Sequence, residues 1–103
     1  MTTLWPEKEY DCMFGDFNAR SALWDDTVLE DPAKGNKRGE LVEEWLAGTS
    51  MSYLNTGEAT HISRIDNSPS APDISFVHSS MSDRWDWKVL PRLGSNHHPI
   101  AMT

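Results

Sequence analysis

Three short stretches of this chain carry side chains able to act on a phosphate ester. The first is Gly15-Asp16-Phe17-Asn18. An apolar run leads into Asp16, and Asn18 follows two residues later. In an extended chain, positions i and i+2 share a face, so carboxylate and amide would project together while Phe17 turns into the core. Such a pair can position a water and hydrogen-bond a phosphate oxygen. The same letters also spell an Asx-turn after a strand. The second stretch is Ser95-Asn96-His97-His98-Pro99-Ile100. Pro99 biases His98 toward extended geometry, and an imidazole at a strand start can donate to a phosphoryl oxygen. A surface loop accounts for these letters as well. The third is Ser70-Ala71-Pro72-Asp73-Ile74-Ser75-Phe76. Asp73 opens a strand there, either as a capping or turn residue or as the carboxylate that holds a histidine ring in one tautomer.

Several elements must position these groups. Residues 1–9 read as a lead-in and residues 10–14 as a short buried strand ended by Gly15. The stretch 25–38, rich in Asp, Gly, Lys, Asn and Pro, reads as a long loop of the kind that is often functional. Residues 39–47 form the clearest helix. Leu41, Val42, Trp45 and Leu46 fall on one face of a 3.6-residue repeat, and Glu40, Glu43 and Glu44 on the other. Asn36 is the expected N-cap and Gly48 the stop. Strands are expected at 51–54, 60–65, 73–78, 85–90 and 99–102, with a turn-rich segment at 66–70. Trp85, Trp87 and Val89 would share one face by period 2. One helix among many short strands predicts an α+β fold with a mostly antiparallel sheet.

The 103 residues bound the chain to one small domain or part of a larger one. Five tryptophans (Trp5, Trp24, Trp45, Trp85, Trp87) are expected in the core rather than as base-stacking platforms. The net charge of −7 argues against passive binding to a polyanion. It does not exclude a nuclease, because a divalent cation can bridge acidic protein to acidic substrate. The single Cys12 makes no internal disulfide and reads as a structural thiol. Neither a secretory leader nor a run of about 18 apolar residues is evident, so no membrane association is expected. His61 and His78 suggest no partners and read as structural or exposed. Lys34, Lys37 and Arg38 read as a solvated loop.

Each motif is weak alone, but their order is specific. Gly-Asp-Phe-Asn, then Ser-x-x-Asp, then Ser-Asn-His-x-Pro-Ile resembles the endonuclease/exonuclease/phosphatase superfamily. The likeness extends to non-LTR retrotransposon endonucleases (apurinic-endonuclease-like) through Asp16-Phe17-Asn18-Ala19, Leu23-Trp24 and Arg38-Gly39-Glu40-Leu41. It continues through Leu54-Asn55-Thr56-Gly57, Pro72-Asp73-Ile74 and Trp87-Lys88-Val89. It spans residues 10–102 and corresponds to the C-terminal half of such a domain. The resemblance implies half of a four-layer α/β-sandwich, with two sheets flanked by helices and residues 1–103 as one partial domain. It implies a metal-dependent DNA endonuclease, with Mg²⁺ or Mn²⁺ as cofactor, DNA as partner, and an intracellular, nuclear setting. Cleavage would leave a 3′-hydroxyl.

By the same resemblance Asp16 orients or deprotonates the attacking water and has indirect contact with the metal. Asn18 hydrogen-bonds the phosphate, His97 stabilises a non-bridging oxygen, and Asp73 holds the His97 ring. The segment 60–70 resembles a hairpin that helps choose target DNA, which makes Arg64 a candidate DNA contact, though a solvated hairpin residue accounts for it equally; Asn55 is a second candidate contact. Asn96 stands where the family has an Asp beside the metal. A unit charge at about 4 Å is worth about 4 kcal/mol at an effective dielectric of about 20, or roughly a thousandfold in rate if fully expressed at the barrier. The upstream half of the family's domain supplies further metal and phosphate ligands, so a partial and inactive site is one expectation. The alternative is a non-catalytic module that dimerises or binds a partner through exposed sheet surface. A phosphatase acting on small phosphoesters is a third reading.

Overall fold

The computed structural model describes residues 12–92 and 94–103. Within them the fold is α+β. Its centre is a three-stranded antiparallel sheet in the order β1 (Cys12–Asp16), β5 (Asp73–His78), β2 (Met51–Tyr53). Two antiparallel pairs complete it: β3 (His61–Ile62) with β4 (Pro69–Ser70), and β6 (Trp87–Val89) with β7 (Ile100–Met102). Among the described residues the strands thus form three separate antiparallel sheets.

Strand β5, Asp-Ile-Ser-Phe-Val-His, is the beam of the molecule, and its four inner residues are buried. Period-2 alternation gives it two working faces. Ile74 and Phe76 join Trp24, Val42, Trp45 and Met51 in the core cluster. Phe76 receives Phe17 and Trp45 edge-on, each at a centroid distance of 5.2 Å, the geometry that ring quadrupoles favour. The opposite face carries Ser75, whose Oγ accepts from Trp87 Nε1 at 3.1 Å and so holds β6 against the sheet.

Helix α2 (Lys37–Ala47) starts at Asn36 and stops at Gly48, as the capping pattern requires. It gains a first turn over the expected 39–47. Val42 and Trp45 are buried and Leu46 half-buried, while Leu41 turns outward. Gly39 lies directly on the Arg20 backbone, where an added Cβ would stand 2.0 Å from the Arg20 carbonyl oxygen.

Several boundaries move for local reasons. Strand β1 runs through Gly15 to Asp16, and Tyr10, Asp11 and Trp5 lie outside the described residues. The expected loop 25–38 contains α1 (Asp26–Glu30) and a 3₁₀ turn over Pro32–Lys34. Asp25 and Asp31 are the N-caps that create them, each accepting a backbone N–H two residues on. The strand expected at 60–65 shrinks to two residues because Ser63 begins a tight turn, its Oγ accepting from Ile65 N–H and its carbonyl from Asn67 N–H. Trp85 follows a 3₁₀ turn over Ser79–Arg84 capped by His78, so it is 36% exposed and does not join Trp87 in the strand. No helix among the described residues is long and apolar enough to cross a membrane.

Gly39→Ala is expected to lower stability by about 1–3 kcal/mol, the usual cost of forcing extra atoms into a packed contact. Denaturant unfolding measures it, and an unchanged midpoint would show that helix and loop separate freely.

Candidate active site

The three motifs meet at the end of the β1–β5 pair. Register places Asp16 opposite Asp73. The segment at 96–98 is then brought in by backbone bonds: Ile62 N–H donates to the Asn96 carbonyl at 2.9 Å, and His98 N–H to the Thr60 carbonyl at 2.7 Å. His97 therefore lies against His61 as an isolated antiparallel bridge. Its Nδ1 is 2.8 Å from Asp73 Oδ2, and its Nε2 is 3.8 Å from Asp16 Oδ2.

These distances define the chemistry. An ionised carboxylate only accepts, so Asp73 fixes the proton of His97 on Nδ1. The tautomer leaves Nε2 on the Asp16 side, able to accept when neutral or donate when charged. The His97 and Asp16 side chains are about half exposed, at 41% and 50%, while Asp73 is only 17% exposed. The inner carboxylate orients the ring, and the outer groups face solvent. They border a polar cleft of about 420 Å³, with Asn18, His61 and the serines at 63, 68 and 70 among the other lining residues.

The shared-face expectation for Asp16 and Asn18 is corrected in its geometry. Strand β1 ends at Asp16, and Asn18 adopts the left-handed region with φ of 49°. Its N–H donates to Asp16 Oδ1 at 2.9 Å, so the Asx-turn forms. Both side chains nevertheless line the one cleft, because the turn folds the chain back instead of extending it. The turn occupies Oδ1 and leaves Oδ2 toward His97.

The loop carrying Asn18 is held from behind. Asn36 Oδ1 accepts from Arg20 N–H and Gly39 N–H, each at 2.8 Å, while Nδ2 donates to the Asn18 carbonyl at 2.9 Å. One amide thus caps α2 and fastens the loop that follows β1 to it. Arg20 lines the cleft but is committed elsewhere. Its Nη2 donates to Thr27 Oγ1, and its Nε lies 3.5 Å from buried Asp25, an ion pair without hydrogen-bond geometry.

Asn55 takes a different place from the one expected. It is 6% exposed, its Nδ2 donates to the Asp73 carbonyl, and its Oδ1 accepts from Ser75 N–H. The amide stands in for a neighbouring strand. Arg64 is exposed on the turn beyond β3, and the same turn holds the Asp66 carboxyl below its usual range through the Ser68 hydroxyl and N–H. Asn96 is half-buried and does not line the cleft. Sequence reasoning missed His61, whose ring sits 4.6 Å from that of His97. It carries no local sequence signal, since the pairing with 96–98 is long-range.

Residues 7–101 match the model of a protein family described as endonuclease-reverse transcriptase. The chain belongs to that family. Its superfamily is the endonuclease/exonuclease/phosphatase group. No curated protein and no solved structure matches.

Asp73→Asn is expected to free the His97 ring without unfolding the sheet. Imidazole nitrogen resonances should then report mixed tautomers in place of one. A single unchanged tautomer would show that the backbone alone holds the ring.

Proposed function

We propose that this cleft is the hydrolytic centre of a metal-dependent DNA endonuclease of the retroelement type, cutting a phosphodiester to leave a 3′-hydroxyl. The observation that carries the reading is one imidazole between two carboxylates, 2.8 Å from Asp73 and 3.8 Å from Asp16, in a chain of this family. Asp16, with one oxygen uncommitted, serves to orient the attacking water and accept its proton. His97, as imidazolium, donates from Nε2 to a non-bridging oxygen as negative charge grows there. Asp73 offsets the charge of that imidazolium and keeps the ring aimed. Asn18 hydrogen-bonds the phosphate, and Arg64 on the adjoining hairpin contacts the backbone of the duplex.

A divalent cation fits the donor set. Asp16, Asp73 and His97 each offer a ligand atom within 4.8 Å of the others. Asp73 Oδ2 is engaged by the ring, so Asp16 is the carboxylate open to a cation, and Mg²⁺ accepts one or two carboxylates while keeping several waters. Bound there, Mg²⁺ or Mn²⁺ would supply Lewis acidity and neutralise phosphate charge. Nicking of supercoiled plasmid in Mg²⁺ is the test. EDTA is expected to stop it, and Asp16→Ala or His97→Ala to slow it at least about 100-fold. Full activity in either variant removes that residue from the chemistry.

A second reading is favoured by a separate observation. An apolar cleft of about 480 Å³ lies beside β1, lined by Cys12, Phe14, Ile74, Trp85, Ile100 and Met102 among others, and Phe14 is 70% exposed. Among the described residues β1 pairs only with β5. A free strand edge beside an apolar face suits strand addition, and the partner proposed is a second copy of this chain. Sedimentation is expected to show a dimer that Phe14→Glu dissociates; a monomer at all concentrations ends this reading.

A further inference from the structure

The side chains lining the cleft with Asp16 and His97 include the neutral Asn18 and three serines, and Arg20, whose Nη2 donates to Thr27 and whose Nε lies beside Asp25. A second imidazole is built into the same wall. The rings of His61 and His97 lie 4.6 Å apart, tilted by 54°. Their backbones are bridged, and the bonds at Ile62 and His98 on either side fix that register. His61 is half-buried and lines the cleft with Asp16, Asn18 and His97. Its Nδ1 lies 3.5 Å from Ser70 Oγ, so the other ring nitrogen is the one open to ligand.

We propose that His61 binds the phosphoryl group alongside His97, so that the cleft grips a phosphodiester between two imidazoles. This rests on the hydrolytic reading above and adds a substrate-contacting residue to it. The two rings divide the work. Asp73 reserves His97 for the developing charge, while His61, which pairs with Ser70 and no carboxylate among the described residues, supplies ground-state hold on the anion. Ring stacking alone would need no nitrogen at position 61, and that separates the proposal from mere packing.

The test is a titration of the full chain with a short DNA duplex in Ca²⁺, following the ring C–H resonances of both histidines. Both are expected to move together with one binding constant. His61→Phe keeps a ring against His97 but removes the nitrogens, and should bind roughly tenfold more weakly. His61→Gln, which restores a donor, should recover most of the loss. A His61 ring that stays still while His97 moves, or wild-type affinity in His61→Phe, overturns this proposal and leaves the nuclease reading standing. If neither ring moves, both fall. Should His61→Phe fail to fold, the wild-type ring shifts decide the matter alone.

Discussion

A carboxylate with no access to water organises this fold. Asp25 is fully buried, and an unpaired charge in that position would cost several kcal/mol. It is matched instead on every side. Oδ1 accepts from Thr27 N–H and from the Thr27 hydroxyl, Oδ2 accepts from Ala71 N–H at 3.0 Å, and the Arg20 guanidinium lies beside it. Those partners belong to three separate stretches of chain: the start of α1, the loop after β1, and the approach to β5. The next residue, Asp26, donates its N–H to the Gly57 carbonyl. Gly57 takes φ of 104° there, and a Cβ would stand 2.1 Å from the Asp26 carboxylate. Satisfying one buried charge therefore fixes three segments relative to one another, and the adjoining Asp26 N–H adds a fourth.

The site inherits its geometry from that knot. Arg20 is pinned at its side chain by Asp25 and Thr27 and at its backbone by Asn36. Asn18, two residues upstream, is held through its carbonyl by the same Asn36. On the other side Ala71, anchored to Asp25, precedes Pro72, whose carbonyl accepts from Phe17 N–H at 2.9 Å. Asp16 and Asp73 thus arrive opposite each other from both directions. Polar groups far from the cleft set the distances inside it.

What the letters revealed and what they concealed divide along sequence separation. Strand β5 was legible to the residue, because its alternating apolar positions and its β-branched and aromatic side chains act locally. Helix α2 was legible for the same reason, including Asn36 and Gly48 at its ends. Asp16, Asn18, Asp73 and His97 were identified through motif order, and they do meet. Hidden from view were partnerships spanning dozens of positions. Asp25 binding Ala71 links residues 46 apart. The role of Asn55 depends on which strand lies beside it, and that of His61 on where the last loop returns. Short helices at 26–30 and 32–34 were masked because their capping aspartates also suit an irregular loop.

The two sides of the cleft are made of unequal material. One is the end of β1 at Asp16, backed by β5, which is packed between an aromatic core and an indole and bonded along both edges. The other is a hairpin whose ladder is two residues long and whose tip exposes Ile65 almost completely. Opening free energy follows buried contact and ladder length, so amide exchange should be slow on the first side and fast on the second. The molecule is then a vice with one firm jaw: the Asp16 and Asp73 carboxylates stand on it, while His97, bridged to His61 and flanked by backbone bonds to residues 60 and 62, rides with the yielding hairpin.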